Sequence, residues 1–321
     1  MSTAAEFDAI GIDRLREVGS VKWSAFPGTI GAFVAEMDFG TAPAVTAALR
    51  KTIDDGLFGY LPRAVATAMS EACARWQSDR YGWTVDPERV HPLPDVLSGL
   101  RATIDYYTEP GSKIVLPTPS YMPFLSIPPM HGREIIEVPM LVNGEPGEQG
   151  ELGAQAGRYE LDLDGIDRAF AAGGGLLILC NPYNPVGRVF TREELEAVCQ
   201  IVDKHGGRVF SDEIHSPLVF APHRHIPYAS INETAASHTI TATSASKAWN
   251  LPGLKAAQLI ISNDADERTW QRPEVAWAGH GTSNLGVIAN TTAYNDGRQW
   301  LADTIDYLDG NRTRLGELLA E

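Results

Sequence analysis

From residue 113 onward, short apolar runs alternate with longer stretches in which apolar residues recur at helical spacing. The clearest helix is predicted for residues 193–205, with Thr191 as its N-cap and Gly206 near its end. The apolar runs of strand length are residues 113–116, 134–138, 176–180, 209–210, 240–243 and 258–261. Such alternation predicts an α/β fold, in which a mostly parallel sheet is covered by helices on both faces.

Other segments of the chain follow different patterns. The first forty residues show little periodicity and several glycines, as expected of an arm that wraps around the body of the protein. Residues 42–53 and 64–81 are predicted to form amphipathic helices. Residues 143–157 contain five glycines and scattered acids, a composition that predicts a surface loop.

The most informative motif is Ser-Ala-Ser-Lys-Ala-Trp-Asn-Leu at positions 244–251, directly after a predicted strand. It flanks Lys247 with two hydroxyl side chains and is followed by a second cation, Lys255. A desolvated lysine near another positive charge is less basic and more nucleophilic. Lys247 is therefore a candidate to form an imine with an aldehyde cofactor.

Two further motifs lie at the ends of predicted strands. Asn-Pro-Tyr-Asn-Pro-Val-Gly at 181–187 turns the chain sharply and presents Asn184 as a donor. Ser-Asp-Glu-Ile-His at 211–215 presents Asp212, and such a carboxylate can hold a heteroaromatic ring nitrogen protonated, which makes the ring an electron sink. Because ligands bind at the carboxyl ends of parallel strands, the three motifs are predicted to converge on one ligand.

Together these motifs resemble the pyridoxal-phosphate enzymes of the class I/II aminotransferase superfamily, which have fold type I. The chain is most similar to the C–S lyase branch, the cystathionine β-lyases of the MalY/PatB type, and the similarity extends along nearly its whole length. The segments that carry it are residues 34–39, 56–60, 181–188, 211–215 and 224–231.

The resemblance implies a role for each residue at the strand ends. Lys247 resembles the lysine that forms a Schiff base with pyridoxal 5'-phosphate and then moves a proton at the substrate α-carbon. Asp212 resembles the partner of the pyridine nitrogen, and Asn184 the donor to the ring oxygen. His215 stands where many aminotransferases have a tyrosine that contacts the same oxygen, and a structural histidine is the alternative. Tyr121 falls where relatives stack an aromatic ring on the cofactor, with core packing as the alternative.

The phosphate site is implied to begin at residues 93–99, where a loop opens into a helix whose first N–H groups would face the anion. The family usually has glycine at the position of Asp95. We therefore expect this carboxylate to turn away and cap the helix, and the amides of Val96 and Leu97 to bind the phosphate. The resemblance implies that three further side chains complete the site: Ser244, Ser246 and Lys255, where many relatives have arginine instead of Lys255.

The resemblance also implies an assembly and a domain organisation. Tyr60 resembles a tyrosine that reaches the phosphate bound by the neighbouring subunit, which implies a homodimer. The expected domains are an arm with part of a small domain (1–41), a large cofactor-binding domain (42–297), and an interdomain helix with a truncated small domain (298–321). Residues 301–319 predict a long helix broken near Gly310. Relatives continue by roughly sixty to eighty residues, about a minimal domain, so the arginine that usually pairs with the substrate carboxylate is expected to be missing.

Composition excludes several classes of protein. The 321 residues, 44% of them apolar, suffice for a large core, and three cysteines without a Cys-x-x-Cys motif fit a reducing cytoplasm. The formal charge of −15 argues against nonspecific nucleic-acid binding, and no apolar run is long enough to predict a membrane span. A metal site is not expected, because the two carboxylates of the candidate cluster are consecutive on a strand and point to opposite faces, and no His-Glu-x-x-His spacing appears. The cluster consists of Asp212, Glu213, His215, His223 and His225.

The expected activity is that of a β-C–S lyase, which acts on a sulfur-containing amino acid such as cystathionine and releases thiol, pyruvate and ammonia. An aminotransferase shares the first steps and is one alternative. A non-catalytic or regulatory protein that retains the fold is another. Release of pyruvate and thiol without an added keto acid would favour the lyase.

Overall fold

The computed structural model describes residues 3–143 and 158–320. Its strands are β1 (Val90–Leu93), β2 (Lys113–Thr118), β3 (Ile135–Pro139), β4 (Leu141–Asn143), β5 (Arg158–Glu160), β6 (Gly174–Cys180), β7 (Arg208–Asp212), β8 (Thr239–Thr243) and β9 (Ala257–Ile261). Seven of them form the central sheet, in the order β1-β9-β8-β7-β6-β2-β3. The strands from β8 to β3 are parallel to one another, whereas β9 runs antiparallel to both of its neighbours. Two short strands, β4 and β5, form a separate antiparallel pair.

Helices cover this sheet and continue into an N-terminal arm. The helices of the arm are α1 (Thr3–Asp8), α2 (Ile12–Val18) and α3 (Val21–Ser24). The helices before the middle of the chain are α4 (Pro43–Asp54), α5 (Arg63–Tyr81), α6 (Val96–Tyr106), α7 (Met122–Met130) and α8 (Leu163–Ala171). Those that follow are α9 (Arg192–Lys204), α10 (Glu233–Ser237), α11 (Asp264–Trp270), α12 (Pro273–Ala276), α13 (Asn284–Asp296) and α14 (Arg298–Ala320).

Side-chain alternation along the strands divides the core into two main clusters. On β9, Leu259 and Ile261 pack into the larger cluster, which also contains the buried faces of α6, α8 and α9. Ile260, between them, packs into the second cluster with residues of α4, α5 and α13. Successive strand residues point to opposite faces. The predicted α/β fold, with a mostly parallel sheet and helices on both faces, is confirmed.

Local sequence accounts for where several elements begin. Thr191 caps α9 through a capping box, in which its hydroxyl accepts from the Glu194 N–H and the Glu194 side chain accepts from the Thr191 N–H. The predicted helix at 193–205 and all six predicted strands are confirmed within a few residues. β1 was not predicted, since it has only four residues and Pro92 interrupts it, and proline is tolerated in a strand at the edge of a sheet.

The two ends of the chain differ in how well their sequences describe them. The arm contains three short helices, which its weak periodicity does not indicate, and Phe7 of α1 packs against Phe39, Trp300 and Tyr307. The long helix does not break near Gly310, since α14 is continuous. A glycine in a helix interior costs only about 1 kcal/mol, which the flanking helical residues offset.

Some predictions on organisation lie outside what the structure tests. All but the first residue of the surface loop predicted at 143–157 lies outside the described residues, and Asn143 ends β4. The division into ranges 1–41, 42–297 and 298–321 stays a prediction. No helix within the described ranges is both long enough and apolar enough to cross a membrane.

Candidate active site

The three sequence motifs meet at one edge of the sheet because β6, β7 and β8 are neighbouring parallel strands. In the register of the sheet, Cys180 pairs with Asp212 and Asp212 pairs with Ala242. A cavity of about 820 Å³ opens at this edge. Its polar lining residues are Asp95, Ser120, Tyr121, Asn184, Asp212, His215, Ser246, Lys247 and Lys255.

Asp212 supplies the most deeply buried carboxyl group of this lining, with 3% of the residue exposed. Burial raises its pKa to about 7, against the opposing effect of the Ile214 N–H, which donates to Oδ1 at 3.0 Å. The charge of Glu213 raises this pKa further, and that of Lys247 lowers it. The other oxygen, Oδ2, has no hydrogen-bond partner among the described residues. A cationic N–H group in the cavity would therefore stabilise the ionised carboxylate.

Lys247 lies on a turn that is held in place by a hydrogen bond to the side chain of Asn290. The Asn290 side-chain oxygen accepts from the Ala245 N–H at 2.9 Å, and the Ser246 N–H donates to the Ser244 hydroxyl at 2.9 Å. Burial lowers the pKa of Lys247, opposed by the negative charges of Asp212 and Glu36. Within the described structure the ammonium makes no hydrogen bond or ion pair. A lysine held in this way is a good nucleophile and a good proton carrier.

Asn184, Tyr121 and His215 complete the central part of the lining, and their polar groups have no side-chain partner in the described part of the chain. Tyr121 packs edge to face against Phe124, and burial raises its pKa, with smaller effects from Asp212 and Asp95. Burial lowers the pKa of His215 to about 4, with a further effect of Lys247, so its imidazole is neutral at pH 7. Because these polar groups have no side-chain partner, they are available to bind a polar ligand.

One end of the cavity is formed by the start of α6 and by Lys255. Asp95 caps this helix, as predicted: its Oδ1 accepts from the N–H and the hydroxyl of Ser98, both at 2.9 Å. The expectation that its carboxylate turns away is wrong, because Asp95 lines the cavity. Its Oδ2 lies 3.2 Å from the Lys255 ammonium, an ion pair that the sequence did not predict. The residues Val96 and Leu97 line the same end, with their N–H groups in the first turn of the helix.

Ser244 and Tyr60 are not brought to this cavity in the described structure. Ser244 is almost fully buried, and its hydroxyl donates to the Ala256 carbonyl at 2.8 Å and accepts from the Ser246 N–H. Because the hydroxyl proton is already used in the bond to the Ala256 carbonyl, Ser244 stabilises the turn that carries Lys247. A direct contact of Ser244 with phosphate is not supported. Tyr60 is 95% exposed and lines a separate cavity of about 510 Å³ with residues 279–285. Its role towards a neighbouring subunit stays a prediction.

Sequence reasoning missed the contribution of the arm. Residues 32–35 line the cavity, as does the buried Cys180 at the end of β6. The arm is fixed by Asn250, whose amide donates to the carbonyls of Met37 and Gly40 at 3.1 and 3.0 Å and accepts from the Met37 N–H at 3.0 Å. The sequence contained a signal for this contact, because Asn250 belongs to the motif at 244–251 that also contains Lys247.

The neighbouring acids and histidines form a structural network. The Glu213 carboxylate accepts from the Ser211 hydroxyl at 2.9 Å and the Tyr228 N–H at 3.0 Å, and lies 3.0 Å from His225 Nε2. Glu213 and His225 are both buried, whereas Asp212 lines the cavity. Over the described ranges, no group of three or more His, Cys, Asp or Glu side chains could hold a metal ion.

Comparisons with known proteins agree with this geometry. The family described as aminotransferase class I and II matches residues 33–321. The cystathionine β-lyase of Corynebacterium glutamicum is 38% identical over 302 residues, which cover 94% of this chain and 76% of that protein. Cystathionine β-lyase PatB of Bacillus subtilis (strain 168) is 32% identical over 299 residues, with coverage of 91% and 74%.

Solved structures give the same result. The pyridoxal-phosphate-bound C–S lyase of Staphylococcus hominis has a TM-score of 0.82 and 29% sequence identity, and the match covers 97% of this chain and 77% of that one. The chain therefore has fold type I and belongs to the class I and II aminotransferase family, in the branch of the cystathionine β-lyases.

Proposed function

We propose that this protein is a pyridoxal-phosphate-dependent β-C–S lyase. The observation that carries the proposal is the cavity itself, in which Lys247, Asp212 and Asn184 present polar groups without side-chain partners at adjoining strand ends. A buried polar group without a partner is costly unless a ligand satisfies it. The amine, the carboxyl group and the amide match the aldehyde, the ring nitrogen and the ring oxygen of this cofactor.

The residues present can hold each part of the cofactor. The N–H groups of Val96 and Leu97 and the side chains of Ser246 and Lys255 would bind the phosphate, since all four residues line one cavity and a helix N-terminus favours anions. Tyr121 would cover one face of the ring. When bound, pyridoxal phosphate supplies a protonated pyridine ring that withdraws electrons from the substrate α-carbon.

Asp212 and His215 tune this site through their protonation. Asp212 would hold the proton on the ring nitrogen, because it lines the cavity and the Ile214 N–H and the charge of Lys247 only partly offset the effect of burial on its ionised form. The pKa of His215 is lowered to about 4, so its neutral ring can donate one N–H without adding a second positive charge beside Lys247. Asn184 would donate its amide to the ring oxygen.

Lys247 would carry the proton transfers. Its lowered pKa favours the free amine, which can take the proton from the substrate α-carbon. The Cβ–S bond then breaks, and the thiol product leaves with the electrons of that bond and one proton. Hydrolysis of the remaining three-carbon enamine gives pyruvate and ammonia. The substrates are therefore amino acids with a sulfur leaving group at Cβ, of which cystathionine is one.

The proposal extends to assembly. Tyr60 projects from the surface beside residues 279–285, where it could serve a site in a second copy of the chain. We include a homodimer, acting in the cytoplasm, in the proposed function. Sedimentation of the purified protein tests the dimer, because a monomer at micromolar concentration would contradict it.

Borohydride reduction followed by peptide mapping tests the cofactor assignment. The pyridoxyl group should be found on Lys247, and the Lys247→Ala variant should lose it, whereas Lys255→Ala, which leaves Lys247 in place, should keep it. A label on Lys255 in the wild-type protein would contradict the assignment. A second assay tests the reaction: pyruvate and free thiol should appear from cystathionine without any added keto acid. A strict requirement for a keto acid would instead identify an aminotransferase.

A further inference from the structure

The ion pair at the phosphate end of the cavity has no role in the chemistry described above. Asp95 and Lys255 both line the cavity, and Asp95 Oδ2 lies 3.2 Å from Lys255 Nζ. The other oxygen of Asp95 accepts from the N–H and the hydroxyl of Ser98. A carboxylate therefore occupies the N-terminus of α6 and binds the single cation besides Lys247 that the described cavity lining contains.

A phosphate group at this end would need the same partners. The first turn of α6 and Lys255 are the positive groups available to it, and both already compensate Asp95. The two bonds from Ser98 hold the carboxylate in place, so it cannot move away without uncapping the helix. Two negative groups a few ångströms apart at a partly dehydrated site repel each other enough to weaken binding by roughly tenfold or more.

We propose that Asp95 sets the affinity for the cofactor phosphate by competing with it for Lys255 and for the N-terminus of α6. The inference rests on the proposed function, because the phosphate is that of the proposed cofactor. Without phosphate, Asp95 neutralises Lys255 and keeps it at the cavity. With phosphate bound, the three N–H donors of the Lys255 ammonium bridge both anions. Part of the phosphate affinity is thereby lost, and the cofactor stays exchangeable.

The substitution Asp95→Asn separates this role from helix capping. Asparagine caps helices about as well as aspartate, and its side-chain oxygen can still accept from Ser98. It removes the negative charge and frees Lys255. A matched control is Asp162→Asn. Asp162 also caps a helix, through the Gly165 N–H at 2.8 Å, and also pairs with a cation, Arg168, but it does not line the cavity.

The experiment compares two ligands on cofactor-free protein. Equilibrium dialysis with pyridoxal phosphate should give a dissociation constant about tenfold lower for Asp95→Asn than for the wild type. With pyridoxal, which lacks the phosphate, both proteins should bind equally. Asp162→Asn should match the wild type for both ligands. Circular dichroism at the same temperature checks that all three proteins are folded.

The outcomes distinguish this inference from the function on which it rests. An Asp95→Asn protein that binds pyridoxal phosphate as the wild type does, or more weakly, would overturn the role of Asp95 and leave the proposed function intact. A gain that is equal for pyridoxal would also overturn it, because the phosphate would not be involved. A wild-type protein that binds no pyridoxal phosphate would overturn the proposed function, and this inference with it.

Discussion

Replacing Asp212 with asparagine should change how the stability of the cofactor-free protein depends on pH. The pKa of this carboxyl group is raised from 3.8 to about 7 in the folded protein, mainly by burial. The folded state therefore holds a proton that the unfolded state releases near pH 4. Stability from this group is fully present below pH 4 and is lost as the pH rises to about 7.

The size of the effect follows from the displacement of the pKa. About 3 pH units at 1.36 kcal/mol per unit give about 4 kcal/mol over the whole range. Between pH 5.5 and 7, the wild-type protein should lose about 2 kcal/mol of unfolding free energy from this group. The asparagine side chain of the variant cannot ionise, although its oxygen can still accept from the Ile214 N–H. The Asp212→Asn protein should thus gain about 2 kcal/mol relative to the wild type over this interval.

Urea unfolding of the cofactor-free proteins at several pH values measures this difference. Other titrating groups contribute equally to both proteins and cancel in the comparison. Asn184→Ala is a suitable control, because it alters the same cavity without changing a charge, and its stability relative to wild type should not vary with pH. If the curves of the wild type and Asp212→Asn run parallel from pH 5.5 to 8, the carboxyl group is ionised throughout and the reasoning fails.

Three further substitutions test the framework of the site. Asn290→Ala should lower the unfolding free energy by about 2–3 kcal/mol, because the buried Ala245 N–H loses its acceptor, and a loss below 0.5 kcal/mol would contradict this. Gly286→Ala should cost about 1–3 kcal/mol in chemical unfolding, since its Cβ would meet the Leu254 carbonyl; an unchanged midpoint would refute the close packing. Asn250→Ala should speed hydrogen exchange at residues 37–40 while β6 keeps its protection, and equal exchange rates would show that the arm is held elsewhere.

Six strands of the central sheet could be predicted because each contains a short apolar run, and the central site residues because polar motifs follow three of these runs at once. Lys247, Asp212 and Asn184 meet since parallel neighbouring strands end at one edge. These three residues come together once β6, β7 and β8 are neighbours in a parallel sheet, and the alternation of strands and helices along the chain favours such a sheet. The capping role of Asp95 was also predictable, because N-caps depend on local sequence alone.

What could not be predicted depends on contacts between distant parts of the chain. Ser244 and Ser246 flank Lys247 in the same motif, and the sequence does not distinguish their roles. Only the structure shows that the Ser244 hydroxyl is hydrogen-bonded to the Ala256 carbonyl and to the side chain of Asn290. The pairing of Asp95 with Lys255 joins residues that are 160 positions apart. Periodicity contains no information on either contact.

The same reason explains what the sequence did not indicate at the two ends of the chain. In the arm, Phe7 of α1 packs against Phe39 and against Trp300 and Tyr307 of α14, and the sequence of the arm alone does not indicate these partners. Gly310 suggested a break, yet its low helix propensity is one unfavourable contribution among the 23 residues of α14. Tertiary packing stabilises the arm, and the length of α14 outweighs the low helix propensity of its glycine.

The attachment of α14 ties it to the arm. Its 23 residues span about 35 Å, and buried residues occur only near its start, at Leu301 and Thr304. Tyr307 packs edge-on against Phe7 and Phe39, and Phe39 lies four residues beyond the cavity-lining Ala35. The start of α14 and the arm segment that lines the cavity therefore share one aromatic cluster, and each depends on the other for its position.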